Sequence, residues 1–319
     1  MNASPPLSIS LPLVLREGNG GIAHLRLNRA TGRNVLSLEM MAALGDALAS
    51  IAADPAVRVM VLSGEGLAFC AGHDLKQLVA RRGDADGGRA FFAHTLAQCS
   101  ALMLAITRMP QPAIAAVEGI ATAAGCQLVA TCDLAVAGEN ARFCTPGVDI
   151  GLFCSTPMVA LTRNIAPKHA MEMLLTGDAI PAAEAHRIGL VNRVVPAAGA
   201  VAAALSLAQK IASKPALTVK TGKALFHRQA HLELSQAYAL AARVMTENLL
   251  AGDACEGIGA FLEKRAPVWP HGQGMDSTEM AVGARTAASA RGAAAPADAE
   301  AGLSIDCNRL PRRPTAVPR

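Results

Sequence analysis

Two short segments carry the residue types and spacing that could do chemistry. The first is Val59-Met-Val-Leu-Ser-Gly-Glu-Gly-Leu-Ala-Phe-Cys-Ala-Gly-His-Asp-Leu75, an apolar strand that runs through a glycine-containing loop into a helix start. One reading is a plain strand–turn–helix connection with Asp74 as helix cap. The other is that free backbone N–H groups at this turn face a ligand carbonyl oxygen, with Ala71 and Gly72 small enough to let it come close. The second segment, Pro112 to Asp133, is an apolar strand, a run of tiny residues and then a helix. Its small residues either permit tight helix packing or open a helix whose unsatisfied N–H groups and dipole favour developing negative charge. Two such turns in one chain weigh against the packing-only reading.

The elements that must hold these turns follow from hydrophobic periodicity. Apolar runs at Gly21 to Leu27, Val57 to Ser63, Ala113 to Val117 and Asp133 to Ala137 predict strands, while Leu38 to Ile51 and Arg89 to Thr107 carry apolar residues at helical spacing. Strand feeding helix feeding strand is an α/β layer architecture. The β signal stops after 199, so residues 200–270 read as a helical subdomain broken near Pro215 and Gly252. Residues 1–12 read as an N-terminal extension. Residues 271–319, rich in Ala, Arg and Pro without periodicity, read as a disordered tail.

Composition removes several function classes. Only 3% of residues are aromatic, with one Trp and one Tyr, which leaves almost nothing on which bases could stack. A formal charge of +4 suits an anionic small ligand and gives a slight footprint for nucleic acid, the Arg-containing tail included. The eight cysteines are scattered, without a CxxC pair or a Cys/His zinc spacing, so no metal site is expected. Met1 to Leu15 lacks a basic n-region and a long apolar run, and no stretch of about 18 uninterrupted apolar residues follows. The expectation is a cytoplasmic protein with no membrane partner.

FCAGHDL at Phe69 to Leu75, followed by AVEGIATAAGCQL at Ala116 to Leu128, resembles the paired oxyanion-hole signature of the enoyl-CoA hydratase/isomerase (crotonase) family. NRATGRNVLS (Asn28 to Ser37), AMEMLLTGDAIPAAEAHRIGLVNRVV (Ala170 to Val195) and EGIGAFLEKR (Glu256 to Arg265) are similar to further family blocks, so the likeness spans about Leu13 to Arg265. It implies a crotonase-like ββα spiral core over 13–199 with a helical C-terminal subdomain. It also implies an acyl-CoA thioester as ligand, with CoA entering as part of the substrate and no tightly bound cofactor. The backbone N–H groups of His73 and Ala124 would form the oxyanion hole. CoA contacts would fall on Arg29, Ala71, Asp74, Leu75, Phe261 and Lys264, with Phe261 near adenine and Lys264 near phosphate; core packing is the other reading of Phe261. A homotrimer or a dimer of trimers is implied as well.

The pattern departs from the family where proton transfer occurs. The resemblance places the two hydratase glutamates at Gln127 and Gly147, and neither residue can carry a proton near neutral pH. The combination TAAGCQL with CTPGVDIGLFCSTP resembles one subgroup of the family. Three other residues could substitute. Asp149 is the nearest carboxylate and shares a face with position 147 only if the segment is extended. Ser155 falls where some relatives place an aspartate, and reads alternatively as part of a capped helix start with Pro157. The His73 imidazole titrates near physiological pH and could act as acid, base or phosphate contact.

Overall fold

Val59 to Leu62 is fully buried on both faces, which only a strand inside a covered parallel sheet can be, and the fold is built outward from it. The structure, a computed structural model, describes residues 11–269. The elements before the second small strand are β1 (Val14–Asn19), β2 (Ile22–Leu27), α1 (Leu38–Ala53), β3 (Val59–Gly64), β4 (Ala68–Cys70), α2 (Leu75–Ala80), α3 (Arg89–Arg108) and β5 (Ala113–Val117). Then come β6 (Ile120–Thr122), α4 (Ala124–Thr131), β7 (Leu134–Gly138), β8 (Arg142–Cys144), α5 (Ser155–Leu161), α6 (Pro167–Thr176), β9 (Ile180–Pro181), α7 (Ala182–Arg187), β10 (Arg193–Val195) and α8 (Ala200–Ala212).

The order of strands is β1-β2-β3-β5-β7-β10 in a six-stranded sheet and β4-β6-β8-β9 in a four-stranded one. Three strands of the first sheet are each followed by a three-residue strand in the second and then by a helix, in β3-β4-α2, β5-β6-α4 and β7-β8-α5. This is the ββα spiral. Within the small sheet β4, β6 and β8 run parallel, with Cys70 opposite Ala121 and Thr122 opposite Cys144. Their carboxyl ends therefore lie side by side, and so do the turns that leave them, which is where an α/β sheet offers a ligand crevice.

Both faces of the large sheet are covered. Leu25, Leu27, Met60, Leu62, Ala113 and Val117 face α1, α3 and α4 in the larger core. Ile22, Val59, Val61, Ile114 and Val136 face Ala200, Ala204, Leu207 and Ala208 of α8. Each such Val, Ile or Leu contributes about 1.5–3 kcal/mol when buried. Since α8 packs on the sheet, the first compact unit ends at Lys214, not at residue 199. By length and composition α3 could cross a membrane; its Cys99, Leu102, Met103 and Ile106 are packed in the core.

The second unit begins at Pro215 and holds α9 (Ala216–Gln229), α10 (Leu234–Leu250) and α11 (Gly252–Leu262). The breaks at Pro215 and Gly252 fall where composition predicts them. A bidentate pair from Arg265 to Glu256, at 2.6 and 2.9 Å, closes the end of α11. Between α9 and α10 lies a groove of about 500 Å3 lined by Thr218, Leu225, Tyr238 and Met245 among others. Phe226, Leu234, Tyr238 and Phe261 are exposed. The expected tail at 271–319 and most of the extension at 1–12 lie outside the described residues.

Candidate active site

The turn after β4 is held from one side by the segment before α1. Ala71 N–H donates to Arg33 O at 3.0 Å, and Leu36 N–H donates to Gly72 O at 2.7 Å. Asp74 caps α2, its Oδ1 accepting from the N–H groups of Lys76 at 3.0 Å and Gln77 at 3.3 Å. The cap and the donor turn are compatible, since the cap engages the amides after residue 74 and leaves that of His73. Among the described residues the His73 N–H donates no hydrogen bond.

The turn after β6 is built the same way. Ala123 N–H donates to Cys144 O at 2.9 Å on the neighbouring strand, and Ala123 O accepts from Gln127 N–H at 3.0 Å. Ala124 opens α4, is buried, and its N–H also has no acceptor among the described residues. The two turns touch. A Cβ placed on Gly72 would lie 3.4 Å from Ala124 N and 3.1 Å from both Thr122 O and the Ala123 methyl. Gly72 also has φ +83°, so position 72 needs glycine twice over. Ala123 takes φ +51° and ψ −118°, a conformation that glycine adopts freely and alanine does not.

The His73 side chain turns away from solvent. Both ring nitrogens are buried and neither reaches a partner with hydrogen-bonding geometry. Burial pulls its pKa down, and the nearby Leu36 backbone opposes this only in part. Such an imidazole is neutral at pH 7 and poorly placed to shuttle protons.

Arg29, Ala71 and Asp74 are brought together: Arg29 Nη1 lies 3.6 Å from Asp74 Oδ2, and Leu75 follows, exposed. Phe261 and Lys264 belong to the second unit. Phe261 is 82% exposed, which excludes core packing within the described chain. Lys264 sits just past α11 at φ +56°.

The two positions at which the resemblance places glutamates are closed. Gln127 is buried on α4, its Oε1 4.0 Å from the Cys99 thiol. At Gly147 an added Cβ would meet Leu152 O at 2.7 Å and Cys154 Sγ at 2.9 Å. The substitutes fare no better. Pro146–Ile150 is a 3-10 helix, so the alternation that would turn Asp149 toward the face of residue 147 does not apply. Asp149 is exposed and its carboxylate lies beside Gly177, the residue that ends α6. Ser155 is exposed and donates to Phe153 O at 3.3 Å, and among the described residues no histidine or carboxylate is bonded to it. It does not cap α5 either; Cys154 holds that position.

Sequence reasoning missed Asn34. Fully buried at φ +53°, it accepts from Arg29 N–H at 2.9 Å and donates to Glu65 O at 2.9 Å and Ala68 O at 2.8 Å. It ties the Arg29 loop to the β3–β4 turn from which the His73 turn springs. The only local signal is an Asn in a Gly-containing turn.

A family profile described as Enoyl-CoA hydratase/isomerase matches residues 17–272. The chain belongs to the enoyl-CoA hydratase/isomerase family. It is similar to enoyl-CoA hydratase domain-containing protein 3 of Rattus norvegicus, 45% identical over 251 residues that cover 79% of this chain and 82% of the relative. Among solved structures of the family, an enoyl-CoA hydratase of Mycobacterium smegmatis is 48% identical with a TM-score of 0.77, covering 81% of this chain and 99% of that one. The human enoyl coenzyme A hydratase domain-containing protein 3 is 44% identical with the same TM-score, covering 81% and 100%. The subgroup resemblance of TAAGCQL with CTPGVDIGLFCSTP thus agrees with the relatives, and the crotonase fold is shared with these structures.

One expectation is overturned by the same family relatives. The rat protein and its counterparts in Mus musculus, Xenopus laevis, Homo sapiens and Danio rerio are all named mitochondrial, so the cytoplasmic assignment is withdrawn. Its physical basis was too narrow. A missing basic n-region and apolar run speak to secretory and membrane signals, and not to amphipathic organelle-targeting segments.

Proposed function

We propose that this protein binds acyl-CoA thioesters and stabilises an enolate or oxyanion on the thioester oxygen through the amides of His73 and Ala124, without acting as an efficient hydratase. The carrying observation is that these two N–H groups, on touching turns, have no acceptor among the described residues. Ala124 is buried, and more than about 90% of buried backbone donors are satisfied, an unmet one costing about 1–3 kcal/mol. Two together on adjacent turns favour an external acceptor. At Ala124 the dipole of α4 adds to the preference for an oxygen that gains negative charge.

Isomerisation, decarboxylation and thioester hydrolysis all pass through such an oxygen and need at most one proton-transfer group. Hydration needs a base and an acid. Each positioned group is worth about 100- to 10,000-fold, and Gln127 and Gly147 supply neither. The filled space at Gly147 and the orientation of Asp149 favour a second reading, a non-catalytic acyl-CoA binder or accessory protein. CoA contacts are assigned to Arg29, Ala71, Asp74 and Leu75, with Phe261 and Lys264 carried as the resemblance gives them. A homotrimer or dimer of trimers fits the exposed apolar residues of the second unit, such as Leu234 and Tyr238.

Calorimetry with acetyl-, crotonyl- and a long-chain acyl-CoA tests the binding; no heat with any of the three rejects both readings. A CoA-ester turnover panel separates them. Turnover of one ester supports catalysis, and binding without turnover supports the accessory role.

A further inference from the structure

Three thiols gather around the first turn of α4, and the chemistry above uses none of them. Cys126 lies on α4 two residues after Ala124, Cys144 ends β8 and accepts the Ala123 N–H on its carbonyl, and Cys154 opens α5. Cys144 and Cys154 are close enough to Cys126 to raise its pKa further, and Cys144 does the same to Cys154, in each case behind the larger effect of burial. Among the described residues no group of three or more His, Cys, Asp or Glu side chains is arranged to hold a metal ion, so the cluster is a set of thiols.

Of the three, Cys154 is the most exposed. Cys126 is fully buried and Cys144 is 5% exposed, whereas Cys154 is 8% exposed. Its sulfur lies 2.9 Å from where a Cβ on Gly147 would be, so it fills the volume of a side chain at 147, and it accepts from the Gly147 backbone N–H. The pairing of Thr122 with Cys144 and the bond from Ala123 N–H to Cys144 O set the turn that follows β8 beside the amide of Ala124. Gly147 lies three residues past Cys144 in that turn, so the Cys154 sulfur packed against it belongs to the same loop cluster as the Ala124 amide.

We propose that the Cys154 thiol is the side chain that meets the acyl carbons beside the thioester carbonyl, and that an α,β-unsaturated acyl thioester held there alkylates it. This rests on the acyl-CoA reading given above. In the step Sγ bonds to Cβ, and the Cα=Cβ electron pair moves onto the thioester oxygen, where the amides of His73 and Ala124 receive it. The thiol proton ends on Cα as the enolate collapses. The product is a thioether with the CoA ester intact, and no oxidant or reductant enters. Burial holds the Cys154 thiol protonated at pH 7, so adduct formation quickens as pH rises.

The test incubates the full chain with acryloyl-CoA, or at equal concentration with the N-acetylcysteamine thioester of acrylate, and maps adducts by peptide mass spectrometry. Expected is a saturable adduct on Cys154 that forms at least about tenfold faster from the CoA ester, because binding holds the two reacting atoms together. Acetyl-CoA suppresses it, and C154S, shown folded by circular dichroism, lacks it. Should C154S fail to fold, suppression by acetyl-CoA in the wild type carries the test. Adducts spread over other cysteines, no preference for the CoA ester, or no adduct at all overturns the proposal. Calorimetry of the wild type with acetyl-CoA separates the causes: binding without a Cys154 adduct sinks this proposal alone, and no binding sinks the acyl-CoA reading with it.

Discussion

Gly147 and Cys154 compete for one volume: a Cβ on Gly147 would come within 2.9 Å of the Cys154 sulfur and 2.7 Å of the Leu152 carbonyl oxygen. The missing glutamate is therefore not a simple deletion, because the surrounding chain has closed over its place. Gly147→Ala is expected to lose about 1–3 kcal/mol by overpacking, read as a lower urea midpoint. Gly147→Glu, alone or with Gln127→Glu, is expected to lose at least as much and to hydrate crotonyl-CoA no better than wild type. A double variant that hydrates efficiently with unchanged stability would show that the niche is open.

Asn34 holds three backbone groups, and Asn34→Ala orphans one donor and two acceptors at a fully buried site. At about 1–3 kcal/mol for each group, partly relieved by relaxation, the expected loss is about 3 kcal/mol in chemical denaturation. Weaker acyl-CoA binding should accompany it, since the Arg29 loop and the His73 turn lose their common anchor. A loss below about 0.5 kcal/mol, typical of surface changes, would mean that the network is dispensable.

How much of this was legible depends on sequence range. Ala113–Val117 and Arg89–Arg108 are long enough for their apolar pattern to declare them, and both fall within a residue of expectation. The strands β4, β6 and β8 have three residues each, too few for a period of two to register, and yet they bring the two donor turns together. Motif likeness supplied what periodicity could not. At Asp149 the segment considered as an extended strand is a 3-10 turn that starts at Pro146 and Gly147. Asn34 was invisible because two of its bonds reach 31 and 34 residues along the chain.

The buried His73 makes stability depend on pH with a definite sign. Burial lowers its folded-state pKa, so as pH falls through about 6.5 the unfolded chain takes up a proton that the folded chain refuses. The contribution is fully present above that pH and is lost below it, at up to about 1.4 kcal/mol per pH unit. His24, also shifted down chiefly by burial, adds to the same trend. The urea midpoint should drop from pH 7 to pH 5, less steeply in His73→Phe, while His73→Ala should still bind acyl-CoA because the amide remains. An unchanged slope in His73→Phe would place the effect elsewhere.

Ala123 stores strain at the donor turn. Its φ of +51° with ψ −118° costs on the order of 1–3 kcal/mol, against about 0.5–1 kcal/mol for the added chain freedom of a glycine. The loss of a partly buried methyl takes back part of the difference. Ala123→Gly is expected to stabilise by up to about 1 kcal/mol, and Ala123→Val to destabilise, because a β-branched side chain fits this conformation worse. Thermal melts of the two variants should move in opposite directions; a shared direction would mean that packing against the core decides.

The amide of Ala124 can be removed with little change around it. Ala124 is the first residue of α4, where proline is tolerated because its missing N–H has no intrahelical partner. Ala124→Pro therefore deletes the donor; retained helicity checks that α4 survives, since a following proline restricts the already strained Ala123 further. Losing one of two oxyanion donors costs about 100- to 1,000-fold in turnover where the donor acts on the transition state. For a chain that only binds, the loss should appear as a weaker calorimetric affinity. Pro at Ala124 with undiminished turnover and affinity would mean that no carbonyl oxygen docks at this amide, and the acyl-CoA reading would fall with it.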